Sequence, residues 1–146
     1  MKKVYQLLAL FLLMFSSQIK AQTSFQKDSL AIKDVLFQQQ NAWNRADLDG
    51  FMAHYWKSDT LQFVSKNGVK YGWQKVYDGY KKNYLDKGEM GILTFGIISL
   101  NQINDQNYIL TGSWKVENKS GSPAGYFSLW FKKIENKWLI VSDHTS

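Results

Sequence analysis

Trp138-Leu139-Ile140-Val141-Ser142-Asp143-His144-Thr145-Ser146 reads as a closing β-strand, and the rest of the chain is organised around it. Strict alternation places Trp138, Ile140, Ser142 and His144 on one face and Leu139, Val141, Asp143 and Thr145 on the other. A strand this apolar needs a sheet beside it and cover on each face. Its end carries the two titratable residues Asp143 and His144.

The closing run spans Lys137 to Thr145, and three more strand runs precede it: Ile92 to Ile103, Asn107 to Glu117 and Ala124 to Ile134. Asn104-Asp105-Gln106, Asn118 to Pro123 and Glu135-Asn136 separate them, and each break is rich in turn residues. Short breaks make consecutive strands antiparallel. Several runs are apolar on both faces, as in Tyr126-Phe127-Ser128-Leu129-Trp130-Phe131. A one-sided antiparallel sheet would alternate cleanly. Helices are therefore expected over the concave face and a second subunit over the convex one.

The helices lie upstream. Ile32, Leu36, Gln39, Trp43 and Ala46 form a stripe on a helix from about Asp28 to Arg45, with Asp28 or Ser29 as its cap and residues 22–27 as a loose lead. Gln39 on this inner stripe must either meet backbone or line a cavity. Asp47 caps a second helix striped by Leu48, Phe51, Met52 and Tyr55 and ending at Trp56-Lys57. Thr60 to Ser65 and Val69 to Tyr71 flank Asn67-Gly68, a hairpin turn that calls for positive φ at both positions. Gly72 opens a third helix, striped by Trp73, Val76, Tyr77, Tyr80 and Tyr84. Gly88 to Gly91 reads as a turn.

The first residues read as an export signal. Lys2-Lys3 precede the apolar run Leu7 to Phe15, and small Ala21 closes the segment before Gln22. The run is about half the ~20 residues that span a bilayer. A signal over 1–21, a lead over 22–27 and one domain over 28–146 follow, in a periplasmic or secreted protein that leaves no membrane segment after cleavage. The chain has no cysteine, which excludes disulfides, thiolate metal sites and a Cys nucleophile. Lys2, Lys3 and Lys20 supply three of the +6 formal charges, and Arg45 is the one arginine. That basic content is too diffuse for nucleic acid. Six Trp and an aromatic share of 16% point instead to a lined cavity.

The order helix, helix, hairpin, helix, four long strands resembles the nuclear transport factor 2-like cone. Asn44-Arg45-Ala46-Asp47-Leu48-Asp49-Gly50 is similar to the junction of the first two helices in ketosteroid isomerases and polyketide cyclases of that superfamily, with Ala46-Asp47 where "Gly-Asp" is common there. Gly112-Ser113-Trp114, Gly125-Tyr126-Phe127-Ser128 and the closing strand resemble its exported SnoaL-like group. The resemblance implies an α+β fold with three N-terminal helices on a curved, mostly antiparallel sheet. It implies no single function. The isomerase's general-base Asp falls at Phe63, or with a one-residue slip at Val64, and neither takes a proton. Its oxyanion-hole Tyr falls at Gln39, a poorer match to an enolate.

No HExxH or His/carboxylate triplet accompanies His54 and His144, so neither a metal nor a cofactor is expected. Ser142, Asp143 and His144 make no triad, because neighbours on a strand face opposite ways. His144 is the first candidate for acid/base work, with Asp143 second. Gln39, Trp43, Tyr55, Phe63, Trp73, Tyr77 and Trp114 are expected to line a pocket for a small apolar or aromatic ligand. Gly112, on the face of Trp114, is expected to leave room for that ligand or for a bend. The readings that follow are a homodimeric small-molecule binder, a cyclase-, isomerase- or dehydratase-type enzyme using His144, or a dimeric protein-interaction module.

Overall fold

The computed structural model describes residues 2–146, with the side chains of Gln22 and of 24–146. The signal reading of Met1 to Ala21 falls outside the described side chains. The elements are α1 (Lys2–Asn44), α2 (Leu48–Met52), β1 (Gln62–Ser65), β2 (Gly68–Tyr71), α3 (Trp73–Asn83), α4 (Lys87–Met90), β3 (Ile92–Asn104), β4 (Asn107–Glu117), β5 (Ala124–Ile134) and β6 (Lys137–Thr145). The six strands form one sheet in the order β2-β1-β6-β5-β4-β3, in which only β1 and β6 run parallel. Helices pack on one face of it, as an α+β cone requires.

Five local details differ from the sequence expectation. The helix does not begin at Asp28 after a loose lead. Nothing between Gln22 and Lys27 breaks a helix, and α1 runs through this segment. Asp28 is buried rather than capping; its Oδ1 accepts from Lys133 Nζ at 2.9 Å and from Trp138 Nε1 at 3.3 Å. The second helix stops at Met52 rather than Lys57, because Tyr55 bridges to Ile140. The hairpin carries positive φ only at Gly68 (100°), since Ser65 pairs with Gly68 around Lys66-Asn67. Residues 87–90 form a short helix rather than a plain turn. Asp86 caps it through Glu89 N–H at 2.9 Å, and Gly91 ends it at φ 65°.

α1 is held over the sheet by its inner stripe. Ile32, Leu36, Gln39 and Trp43 are all buried. Its polar side chains finish the edge of β3. Asn44 Oδ1 accepts from Leu93 N–H at 2.7 Å, and Gln40 Oε1 accepts from Phe95 N–H at 2.7 Å. Edge amides that would otherwise face solvent are thereby paired.

α1 ends in a tight reversal. Asp47 N–H donates to the Ala42 carbonyl at 2.9 Å and Ala46 N–H to that of Trp43 at 2.8 Å, the paired bonds of a Schellman end. Ala46 supplies the left-handed residue, at φ 60°, a conformation that costs a residue with a Cβ but not glycine. Ala46→Gly is expected to raise stability by about 0.5–1 kcal/mol, read as a higher urea midpoint with an unchanged m-value.

Interruptions in the strands bend the sheet. β3 slips register between Ile97 and Ser99. On β6, Trp130 pairs with Ser142 while Phe131 pairs with Ile140, which leaves Val141 as an extra residue. The bulge corrects the alternation expected for β6. Trp138 and Ile140 remain on the helix-covered face, and Asp143 joins them there, buried; His144 is exposed.

Candidate functional site

The concave face of the sheet and the three helices α1, α2 and α3 enclose a cavity of about 210 Å³. α1 contributes Gln39 and Trp43, and the α2 segment contributes Phe51 and Tyr55. Val76, Tyr80 and Tyr84 face it from α3, and Phe63 from β1. Phe95, Trp114 and Phe127 come from the long strands, with Asp143 and Thr145 from the end of β6. Exposed Asn67, Lys70 and Asn83 mark its open side.

Aromatic edges and faces build the wall. The ring of Trp43 meets Phe51 at 5.1 Å, Tyr84 at 4.8 Å and Tyr80 at 5.9 Å, each edge to face. Its Nε1 donates to the Met90 carbonyl at 2.8 Å, so the indole is fixed from both ends. Gln39 both lines the cavity and meets backbone, its Nε2 donating to the Phe51 carbonyl at 3.2 Å. Trp114 Nε1 is buried and has no partner among the described residues.

Asp143 is the polar centre. The backbone around Tyr55 adds to β6: Trp56 N–H donates to the Ile140 carbonyl at 2.9 Å, and Ile140 N–H to that of His54 at 3.0 Å. This docking and the bulge at Val141 bring the Tyr55 hydroxyl to Asp143 Oδ2, to which it donates at 2.7 Å. Asp143 is 5% exposed, and its Oδ1 has no partner among the described residues. Burial pushes the Asp143 carboxyl up to about 7, against the opposing effect of the Tyr55 hydrogen bond. Burial, and then the Asp143 charge, hold the hydroxyls of Tyr55 and Tyr80 well above the ordinary phenol range. The site is therefore a neutral aromatic cup with one carboxyl, able to exchange its proton near neutral pH.

Of the residues expected in a pocket, Gln39, Trp43, Tyr55, Phe63, Trp114 and Asp143 come together here. Trp73 and Tyr77 do not line it. They stack on each other at 5.0 Å outside the cup, between Lys57 and Lys81. Trp73 Nε1 donates to the Met52 carbonyl at 3.0 Å and the Tyr77 hydroxyl to Asp49, which ties α3 to α2. The aromatic stripe of α3 thus divides: residues 73 and 77 face α2, while 76, 80 and 84 face inward. His144 is exposed on the other side of β6 and does not line the cup. Gly112 leaves no room for a ligand; a Cβ there would meet the Phe127 ring and the Gly96 carbonyl oxygen.

Sequence reasoning missed Tyr80, Tyr84, Phe95, Phe127 and Thr145 as lining residues. Phe127 was findable, since it alternates with Leu129 and Phe131 on β5. Tyr80 and Tyr84 follow the buried Val76 at helical steps of four, but Trp73 and Tyr77 fall on the same broad stripe, so spacing alone does not separate the lining residues from the others. His54 is half-buried, and burial lowers its imidazole's pKa against the charge of Asp34. Among the described residues no group of three His, Cys, Asp or Glu could hold a metal ion.

No family profile matches the sequence, and no curated protein does. Solved structures do. The chain is similar to an NTF2-like protein of unknown function from Shewanella oneidensis. The match has 34% identity and a TM-score of 0.79, and covers 82% of this chain and 98% of that one. A domain of unknown function with a cystatin-like fold from Nostoc punctiforme matches at 18% identity and TM-score 0.69, over 82% of this chain and 76% of that one. A ketosteroid isomerase-like protein from Erwinia carotovora shares the fold at 16% identity and TM-score 0.62, over 80% and 93%.

Proposed function

The chain belongs to the nuclear transport factor 2-like superfamily, and on that premise we propose that it is an exported small-molecule-binding domain whose ligand sits in the aromatic cup. The observation that carries this reading is the combination of an apolar cavity with a few inward polar groups, the usual form of a small-molecule site. A volume of about 210 Å³ suits a compound built on one or two rings. Trp114→Ala tests it. Trp114 is only half-buried, so the variant is expected to stay folded and to weaken binding of a ring compound by about 1–3 kcal/mol, read by calorimetry. Unaltered affinity in a folded variant refutes the assignment.

A second reading, an enzyme of the isomerase, cyclase or dehydratase type, is supported by the Tyr55–Asp143 pair. The superfamily resemblance puts a general base at Phe63, which cannot accept a proton. Asp143 is the register partner of Phe63 on the adjacent strand and carries a carboxyl tuned towards neutrality. In this reading Asp143 takes the acid/base role and Tyr55 orients it. Turnover lost in Asp143→Asn, with ligand affinity retained, separates the enzyme from the binder.

Export and pairing belong to the same proposal. Ile98, Ile109, Tyr126 and Trp130 are exposed by 37–64% on the strands, and such a patch favours a second copy over the sheet. Protein recovered from the host's envelope or medium is expected to have the intact mass of a chain beginning near Gln22 and to sediment at twice that mass. A retained Met1 to Ala21 segment defeats the export reading, and a clean monomer at micromolar concentration defeats the dimer.

A further inference from the structure

From the free Asp143 oxygen within the aromatic cup, we infer that the ligand is a monocationic amine, held with its ammonium group against Asp143 and its apolar body among the rings. The inference rests on the binding reading above and names the ligand class for the same cavity.

Three observations point the same way. First, Asp143 lines the cavity, and its Oδ1 is buried and unpartnered among the described residues. A buried acceptor left without a donor keeps its full desolvation cost, so a ligand that brings an N–H removes a standing penalty. Second, aromatic side chains flank Asp143. Phe63 lies beside Asp143 in the sheet, and Tyr55, Tyr80 and Phe51 interlock around the same floor. Aromatic faces attract cations through the negative face of the ring. Third, the protein supplies no internal counter-charge. Among the described lining residues the one cation is Lys70, which is exposed at the open side.

The charged and titratable groups facing Asp143 can be named element by element. Tyr55 donates to it, and Tyr80 and Tyr84 face the cup from α3. Burial raises the pKa of all three phenols, so they remain neutral. β2 contributes Lys70, and β1 and β5 contribute the uncharged Phe63, Phe127 and Leu129. His144, next in sequence, faces outward. Lys70 at the rim repels a second positive charge, which favours a monoamine over a polyamine.

Binding then follows a balanced exchange. The ammonium enters with its charge, the Asp143 carboxyl loses one proton to solvent, and the resulting ion pair is neutral within the cup. The exchange is easier at higher pH, where the carboxyl of the free protein is already ionised.

Calorimetry on the full protein, with 2-phenylethylammonium and its neutral counterpart 2-phenylethanol, tests the inference. At pH 8 the ammonium is expected to bind at least about tenfold more tightly than the alcohol. Between pH 8 and pH 5 its affinity is expected to fall by about 100-fold, while that of the alcohol changes little. In buffers of different ionisation enthalpy, ammonium binding at pH 7 is expected to release about half a proton. Asp143→Asn should remove both the preference and the pH dependence. The wild-type comparison decides the matter even if that variant does not fold. Equal affinity for the two compounds at pH 8 overturns the amine assignment and leaves the binding reading standing. Failure of ammonium, alcohol and propylbenzene alike overturns both.

Discussion

Asp143→Asn is expected to make the protein more stable at pH 8, not less. The folded carboxyl titrates at about 7, whereas an unfolded Asp titrates near ~3.9. Between those values the folded state holds a proton that the unfolded chain has released. The group's contribution to stability is therefore full below about pH 4 and is lost as pH rises through 7. Three pKa units correspond to about 4 kcal/mol, the upper size of the gain for a neutral residue of the same shape. Asn keeps a carbonyl oxygen for the Tyr55 hydroxyl, which now donates to Asp143 Oδ2 at 2.7 Å. Urea unfolding at pH 4 and pH 8 checks the sign. The variant and the parent should nearly coincide at pH 4 and separate at pH 8. A variant less stable at pH 8 would mean that the fold stabilises the ionised carboxylate. A residue kept at a cost to the fold is a mark of a functional site.

Trp43→Ala is expected to be the most damaging single truncation in the cup, at about 3–5 kcal/mol. The indole is 3% exposed. It contacts Phe51, Tyr80 and Tyr84 edge to face, and such pairs add about 0.5–1.5 kcal/mol beyond the area they bury. Its Nε1 bond to the Met90 carbonyl joins α1 to the short helix that leads into β3. Removing the ring orphans that carbonyl and frees three aromatic neighbours at once. Thermal unfolding reports the loss. Trp43→Phe should recover a large part of the packing but not the hydrogen bond. If alanine costs under about 1 kcal/mol, the cup collapses readily and its volume is not held by the core.

Much of this molecule is legible along the chain. Alternation and turn chemistry locate β4, β5 and β6 to the residue, because Asn, Asp, Gly and Pro end strands through local backbone preferences. Helical spacing identifies the buried stripe of α1, and the pair Ala46-Asp47 marks its end through hydrogen bonds that close within six residues. The aromatic excess points to a lined cavity, but it does not separate Trp43, Tyr55 and Trp114 from Trp73 and Tyr77, which lie outside it.

The identity of its polar centre came only with the tertiary structure. Reading β6 as an unbroken alternation puts Asp143 on the face opposite Ile140 and leaves His144 as the first candidate. One extra residue, Val141, reverses that phase. A bulge depends on pairing between strands and has no dependable signature in one strand alone. The rotation of α3 is decided in the same way. Trp73 and Tyr77 leave the cup because α2 offers them the Met52 carbonyl and the Asp49 carboxylate, partners far away in sequence. Periodicity and turn chemistry are local and can be read from neighbours in the chain; the direction in which Asp143 points depends on how β6 meets β5.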